Sequence, residues 1–331
     1  METRLMAHDG QRDIMASMPV LEDVLSLARD TVKPLKSLNE KAINKLRDLV
    51  EIDNKVSSAM IEEHQSAAHG VAWLATYTES ISQMVNWAEN LLGQNKFGQT
   101  EQLILQIGVG EYLEQILGGI MMSQGEIFRL NDLSLSALDL SEFKTQSVQE
   151  LSSKGNTPQA RALLVDLILE YSANITVGDN GLDEDLEMIR EQFRKFSIDR
   201  IEPYAHEWHL KDELIPLEVI SELSELGVFG LTIPEEYGGL GLSKASMAVV
   251  SEELSRGYIG VGSLGTRTEI AAELILCGGT EEQKKQWLPG LASGEILPTA
   301  VFTEPNTGSD LGALRTRATK SENGDYEITG N

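Results

Sequence analysis

Apolar residues recur at helical spacing through the first half of the chain, and this periodicity predicts a mainly α fold. Leu21, Val24, Leu25 and Ala28 share one face of a predicted helix, and the stripe resumes after Pro34. Side chains three, four and seven positions apart lie on one side of a helix, whereas a half-buried strand needs strict alternation. The resumed stripe consists of Leu38, Ala42, Ile43, Leu46, Leu49 and Val50. The first half is therefore predicted to be a helical bundle.

Three longer helices are predicted within this bundle. They run from about Asn54 to Leu92, from Thr100 to Leu130, and from Ala160 to Tyr171 with Pro158 at the start. The second contains four glycines, at 108, 110, 118 and 119. Each glycine inside a helix costs about 1 kcal/mol relative to alanine. Four of them indicate either a close approach of two helices or a local break.

The limits of the bundle follow from the loss of this pattern. Residues 1–17 carry no periodicity and are expected to be frayed. Residues 174–181 read Asn-Ile-Thr-Val-Gly-Asp-Asn-Gly, a composition typical of a linker. We therefore expect a helical N-terminal extension over residues 18–173, joined by this linker to a second domain.

Five more helices are predicted after the linker, with Thr280 as the N-cap of the last. They span Leu182–His209, Ile215–Leu226, Lys244–Arg256, Tyr258–Cys277 and Glu281–Ala292. Strand-like residues follow, so residues 182–295 are predicted to be an α-domain and residues 296–331 the start of a β-domain. Tyr326–Asn331 alternates like a strand and enters a turn where the sequence ends. We therefore expect a fragment that is cut inside this β-domain.

A polar turn near the end of the chain has the composition of a ligand-binding loop. Residues 299–303 are predicted to be a buried strand that leads into Thr303–Ser309, a turn rich in hydroxyl groups. Pro305 fixes φ and removes a donor, and Gly308 allows close approach of a ligand to the backbone. Hydroxyls beside exposed amides predict a site for a phosphate or for the polar rim of a flat cofactor.

Three segments of the second half resemble the acyl-CoA dehydrogenase family, in the same order. They are Ile233–Ser243 (IPEEYGGLGLS), Gly278–Pro289 (GGTEEQKKQWLP) and Phe302–Asp310 (FTEPNTGSD). The resemblance covers roughly residues 182–331. The preceding part, from Val71–Ser80 (VAWLATYTES) onward, resembles the additional N-terminal domain of the (2S)-methylsuccinyl-CoA dehydrogenase branch of that family.

The resemblance implies that the cofactor is FAD and that the substrate is an acyl-CoA thioester. It assigns cofactor contacts to Val301, Phe302, Thr303, Gly308 and Ser309, and substrate contacts to Ser309, Thr266 and Arg267. Arg267, at an expected helix start near the acyl end, would suit a second carboxylate on the substrate. It is alternatively a surface arginine that pairs with Glu269 or Glu273. Glu304 is expected to be structural, because an ionised carboxylate repels phosphates.

The family reaction implied by the resemblance is α,β-dehydrogenation of a short-chain acyl-CoA, here (2S)-methylsuccinyl-CoA to mesaconyl-CoA. A glutamate removes the α-proton while the β-hydride passes to the flavin, and an electron-transfer flavoprotein accepts the electrons. That glutamate belongs to the family's C-terminal domain, so no catalytic residue is predicted in this chain and the fragment is expected to be inactive alone. The alternatives are an acyl-CoA oxidase and a non-catalytic interaction protein of the same family.

Composition excludes several other classes of partner. The net charge of −25 argues against nucleic acid and against anionic membrane surfaces. The single cysteine, Cys277, allows no intramolecular disulfide, and neither a signal-peptide core nor an apolar run of membrane-spanning length is present. A cytoplasmic homo-oligomer without bound metal is expected.

Three smaller motifs have simpler explanations than a site. Gly260–Gly265 reads G-x-G-x-x-G, but a predicted helix precedes it where a dinucleotide site needs a strand. Small residues that line an acyl pocket explain it better. His206 and His209 share a helix face without a third metal ligand nearby in the sequence. Cys277, Trp73 and Trp87 are predicted to pack in cores.

Overall fold

A computed structural model of the chain describes residues 19–170, 177–299 and 301–330. The predicted frayed segment 1–17 and the first three residues of the predicted linker lie outside this part. Contacts divide the chain into two compact units, Met1–Gly181 and Leu182–Asn331. The described residues are mostly helical with three short two-stranded sheets, which confirms the mainly α prediction. No described helix is both long enough and apolar enough to cross a membrane.

Unit 1 contains seven helices and two β-hairpins among its described residues. The helices are α1 (Val24–Val50), α2 (Ser58–Glu63), α3 (Gln65–Gly93), α4 (Gln99–Gly118), α5 (Ala137–Phe143), α6 (Gln146–Lys154) and α7 (Pro158–Glu170). The antiparallel hairpins pair β1 (Glu51–Ile52) with β2 (Lys55–Val56), and β3 (Ile120–Ser123) with β4 (Glu126–Phe128).

The core of unit 1 lies between α1, α3, α4 and α6. Its fully buried side chains include Leu35, Leu38, Leu74, Ile81, Leu105 and Leu113. Burial of each such side chain contributes about 1.5–3 kcal/mol. The predicted stripe of α1 is confirmed at Leu25, Ala28, Leu38 and Ala42, whereas Leu49 is exposed near the end of the helix. In contrast, α7 buries Ala160 and leaves most of its apolar residues half-buried or exposed.

Both hairpins occupy residues that the periodicity predicts as helical. Asp53 and Asn54, at the predicted start of the first long helix, have φ of 52° and 60° and form the turn of β1–β2. These two residue types tolerate left-handed backbone and favour such turns. The second helix ends at Gly118, because Gly119 has a φ of 135° that glycine alone adopts readily. The prediction of a helix as far as Leu130 is therefore wrong.

A glycine in α4 does allow a close approach of helices, as the sequence indicated. A Cβ at Gly110 would lie 2.8 Å from the carbonyl oxygen of Leu151 in α6. Trp73 and Trp87 pack against the core of unit 1, which confirms their predicted role.

Residues 177–181, the described part of the predicted linker, are hydrogen-bonded to α3 and α4. The Asp179 amide donates to the Glu101 carboxylate at 2.9 Å, and Trp87 Nε1 donates to the Asp179 carbonyl at 3.0 Å. The Asn90 side-chain amide reaches the Gly181 carbonyl at 3.4 Å. These contacts hold the segment within unit 1.

Unit 2 begins with six helices and ends in a hairpin. The helices are α8 (Glu184–Phe196), α9 (Glu202–Lys211), α10 (Leu217–Glu225), α11 (Lys244–Gly257), α12 (Ile259–Gly278) and α13 (Glu281–Ala292), and the antiparallel strands are β5 (Arg317–Lys320) and β6 (Tyr326–Thr329). All five predicted helices are present, the first as α8 and α9 joined by the π-helical turn Ser197–Ile201. Thr280 caps α13 as predicted, since its hydroxyl accepts from the Gln283 amide.

Two apolar clusters hold the helices of unit 2 together. The larger one contains Phe193, Ile201, Leu223, Phe229, Leu254 and Val261. The smaller one packs α13 against the loop after α10 through Ile233, Tyr237, Ala272, Leu288 and Leu291.

The prediction of a buried strand over residues 299–303 is wrong. Residues 301–303 form no strand and are exposed, with 81% of Val301 accessible to solvent. A strand is stable only when its backbone groups pair with a neighbour, and no described strand pairs with this segment. The hairpin β5–β6 that follows is likewise exposed on both faces.

Candidate functional site

The polar turn after residue 303 is closed by its own backbone. The Glu304 amide donates to the Thr307 carbonyl at 2.8 Å, and the Thr307 amide donates back at 3.1 Å. Pro305 occupies the first corner, where its fixed φ suits the turn. The turn is therefore a defined structure within an otherwise exposed segment.

The Glu304 side chain points away from this turn to the start of the hairpin. Its carboxylate accepts hydrogen bonds from the Thr316 hydroxyl at 2.6 Å, the Thr316 amide at 2.7 Å and the Arg315 amide at 3.0 Å. The Thr316 hydroxyl, followed by the two amides, lowers the pKa of Glu304 below its ordinary value of 4.5. The structural role expected for Glu304 is confirmed.

The groups predicted to touch the cofactor are unpaired among the described residues. The hydroxyls of Thr303 and Ser309 and the amides of Gly308 and Ser309 donate no hydrogen bond to any of these residues. A Cβ built at Gly308 would have its nearest neighbour, Thr303 Cγ2, at 4.0 Å, so this side of the backbone is open. Unpaired donors beside the exposed apolar surface of Val301 and Phe302 fit a flat cofactor with a polar rim and a phosphate group.

The predicted substrate residues Thr266 and Arg267 lie inside α12 and not at a helix start. The Thr266 hydroxyl donates to the Ser263 carbonyl at 2.9 Å and is thereby engaged within the helix. No hydrogen bond or ion pair among the described residues joins α12 to the polar turn. The structure thus places the two groups of predicted residues on separate elements.

Arg267 is an exposed cation without an ion-pair partner among the described residues. Its predicted acidic partners are both engaged elsewhere: Lys244 binds Glu269 at 2.8 Å and also pairs with Glu273. Burial lowers the pKa of Lys244, but its hydrogen bonds to these two carboxylates outweigh burial and raise it. The alternative reading of Arg267 as a partner of Glu269 or Glu273 is therefore wrong.

The glycine-rich loop between α10 and α11 is a compact connector. The amides of Leu240 and Gly241 donate to the carbonyls of Gly230 and Ile233, at 2.8 and 2.9 Å. The Tyr237 hydroxyl donates to Glu281 of α13 at 3.1 Å, and burial followed by this contact raises the pKa of Tyr237. These two amides are therefore engaged within the loop, and the Tyr237 hydroxyl is engaged by α13.

The remaining motifs do not form the sites that their spacing suggests. Gly260–Gly265 occupies the first turns of α12, and Gly262 and Gly265 face α11 and Val228. His206 and His209 are exposed, and no group of His, Cys, Asp and Glu suited to a metal ion occurs in the described ranges. Cys277 is exposed, so the prediction that it lies in a core is wrong.

The contact between Glu304 and residues 315 and 316 was not found from the sequence. Two of its three donors are backbone amides, which every residue other than proline carries. A sequence pattern therefore contains no signal for it.

Known proteins resemble the chain over part or nearly all of its length. Residues 183–295 match the family model described as Acyl-CoA dehydrogenase, N-terminal domain. A (2S)-methylsuccinyl-CoA dehydrogenase from Cereibacter sphaeroides is 59% identical over 317 residues, which cover 96% of this chain and 57% of that protein. A mitochondrial isobutyryl-CoA dehydrogenase from Dictyostelium discoideum is 36% identical over 148 residues, which cover 45% of this chain and 35% of that enzyme. The chain thus spans little more than half the length of the first relative.

One solved structure illustrates the partial overlap. Glutaryl-CoA dehydrogenase from Mycobacterium smegmatis aligns with a TM-score of 0.42 and 37% identity. The alignment covers 45% of this chain and 38% of the chain of that enzyme.

Proposed function

Because the chain belongs to the acyl-CoA dehydrogenase family through residues 183–295, we propose that it is part of an FAD-dependent acyl-CoA dehydrogenase. The single observation that carries this proposal is the set of donors at Thr303, Gly308 and Ser309 that bind no other described residue. We assign residues 18–173 to an N-terminal extension, 182–295 to the α-domain and 296–331 to the start of the β-domain.

The proposed reaction is the α,β-dehydrogenation of (2S)-methylsuccinyl-CoA to mesaconyl-CoA. Two observations support this substrate over a plain fatty acyl-CoA. The relative with that activity in its name matches both units and not only the family domain. Arg267 also offers a guanidinium that pairs with no carboxylate of the described residues, and it suits the free carboxylate of a dicarboxylic acyl group.

The proposed cofactor is FAD, which when bound accepts the hydride from the β-carbon. The backbone and hydroxyl of Thr303 would donate to the edge of the ring, and Val301 and Phe302 would cover part of its apolar surface. The amides of Gly308 and Ser309 would bind phosphate oxygens, and Ser309 would also contact the CoA chain. Donors that are unpaired before binding need not break a protein hydrogen bond to hold these groups.

We also propose an electron-transfer flavoprotein as the acceptor, and a cytoplasmic homo-oligomer as the working form. The acceptor follows from the family resemblance, and the single cysteine agrees with the reducing compartment of the cytoplasm.

Flavin binding tests the cofactor proposal directly. The purified protein is titrated with FAD while flavin fluorescence and the visible spectrum are recorded. We expect saturable binding that weakens in Ser309→Ala and Thr303→Val but not in Ser321→Ala, a matched hydroxyl loss in the hairpin. Absence of binding to the unaltered protein contradicts the proposal.

Substrate choice is tested on the flavin-loaded protein without oxygen. We expect methylsuccinyl-CoA to shift the flavin spectrum at lower concentration than butyryl-CoA does. Equal responses to the two thioesters would remove the substrate assignment and leave the cofactor assignment standing.

A further inference from the structure

We propose that Glu304 is a positioning residue, whose carboxylate fixes the flavin-contacting turn against the start of the β5–β6 hairpin. This inference rests on the proposed function, because the turn that Glu304 positions is the one to which we assign the flavin contacts. The turn means residues 303–309, and the hairpin begins at Arg317.

Glu304 connects both ends of the segment. Its backbone closes the turn through Thr307, and its side chain accepts three hydrogen bonds from Arg315 and Thr316. One residue therefore defines the shape of the turn and ties it to backbone eleven and twelve positions further on.

No other hydrogen bond between described residues performs this task. The remaining backbone bonds between the turn and the hairpin are local: Ala313 donates to Asp310, and Leu314 donates to Leu311. Among the described residues, no hydrogen bond other than those of Glu304 joins residues 301–309 to residues 314–330.

Apolar burial does not hold the segment in place. Leu311 and Leu314, the large apolar side chains between the turn and the hairpin, are 50% and 37% exposed. A segment with little buried apolar surface keeps its geometry through hydrogen bonds. The position of the Gly308 and Ser309 amides is thus expected to depend on Glu304.

A carboxylate is particularly suited to this task. When ionised it is an acceptor only, with enough lone pairs for all three donors, and charge-assisted bonds are about twice as strong as neutral ones. A glutamine would present one oxygen and would turn an NH₂ group toward the donors. Donors of the protein itself bind the Glu304 carboxylate, whereas the hydroxyls of Thr303 and Ser309 remain available to the cofactor.

The test compares Glu304→Gln and Thr316→Val with Glu327→Gln, which removes the same charge from β6. Two quantities are measured on the whole protein: hydrogen exchange of the Arg315 and Thr316 amides without flavin, and the dissociation constant for FAD. We expect Glu304→Gln to accelerate exchange at these amides and to raise the dissociation constant by about tenfold or more, which corresponds to one lost charge-assisted bond.

The other two variants should respond in proportion to the bonds they lose. Thr316→Val removes one of the three donors, so we expect a change of a few-fold in each quantity. Glu327→Gln should match the unaltered protein in both. Because Glu304 lies in an exposed segment, helical content by circular dichroism should be the same in all variants.

The outcomes separate this inference from the proposed function. If the unaltered protein binds no FAD, the proposed function fails and this inference fails with it. If it binds FAD and Glu304→Gln binds equally well, the inference alone is overturned. Weaker FAD binding with unchanged amide exchange would also overturn it, because Glu304 would then act without positioning the turn.

Discussion

The carboxylate of Glu253 in α11 accepts two hydrogen bonds from the guanidinium of Arg194 in α8, at 2.7 and 3.1 Å. The Glu253 side chain is 3% exposed, and its next cation, Arg256, lies 3.9 Å away. The hydrogen bond to Glu253 is the largest cause of the raised pKa of Arg194. Two helices of unit 2 are thereby connected by one bidentate ion pair.

Removal of Arg194 should destabilise unit 2. Arg194→Met leaves a buried carboxylate without its main partner, which costs about 3 kcal/mol. Denaturant unfolding measures the loss, and Lys211→Met, which breaks an exposed pair with Glu207, should leave the midpoint unchanged. The double variant Arg194→Met/Glu253→Leu should recover much of the stability. A midpoint for Arg194→Met equal to that of Lys211→Met would contradict this account.

Glu101 should hold residues 177–181 against unit 1. Its carboxylate accepts from the Gly98 and Asp179 amides, both at 2.9 Å, and the residue is 7% exposed. Glu101→Ala removes both acceptors and is expected to cost about 2 kcal/mol. Hydrogen exchange at Asp179 should accelerate, whereas Glu114→Ala, an exposed change on the same helix, should leave it unaltered. If the Asp179 amide exchanged at the same rate in both variants, contacts other than those of Glu101 would be holding residues 177–181 in place.

Gly239 should tolerate no side chain. A Cβ at this position would overlap the carbonyl oxygen of Ile233 within the connector loop. Gly239→Ala therefore requires backbone movement, and we expect a loss of about 2 kcal/mol or more in the free energy of unfolding. Gly278→Ala is the control, because nothing lies within 4 Å of its Cβ position, and it should be neutral or slightly stabilising. Similar melting temperatures for the two variants would refute the overlap.

The contribution of Glu304 should vanish in acid. Its pKa is lowered from 4.5 in the folded chain, so its hydrogen bonds favour the structure fully above pH 4.5 and are lost as the pH falls through the folded value. A ¹³C titration of the carboxyl group should show a midpoint below 4.5. Thr316→Val removes the hydroxyl that contributes most to the lowered pKa of Glu304, so the midpoint in this variant should move up toward 4.5. A midpoint at 4.5 in the unaltered protein would disprove the contact in solution.

Arg267 should govern the preference for a dicarboxylic acyl group. Arg267→Ala is expected to weaken the response to methylsuccinyl-CoA by about tenfold or more while the response to butyryl-CoA stays constant, since one charge-assisted bond is lost. Arg267→Lys should retain part of the preference. Lys285→Ala removes an equal charge from an exposed position of α13 and serves as control. An unchanged ratio of the two responses in Arg267→Ala would eliminate this role.

Local patterns predicted the helices of unit 2 well. Apolar spacing located all five predicted segments, and the Thr280–Gln283 spacing supplied a cap, since both signals depend on residues within one or two turns. The same spacing failed at Asn54 and Gly119, where a left-handed residue ends the regular backbone. The dipeptides Asp53-Asn54 and Gly118-Gly119 were the sequence signals that could have predicted these two turns.

The sequence by itself determined the helical class of the chain and the chemical types of the residues in the polar turn, because periodicity and side-chain identity are local properties. Only the tertiary structure decided that Glu304 binds backbone twelve residues away, that Lys244 occupies the acidic partners expected for Arg267, and that residues 301–303 form no strand. Each of these depends on which groups meet in space. Backbone amides carry no sequence signature, and a strand exists only where a second strand supplies its hydrogen bonds.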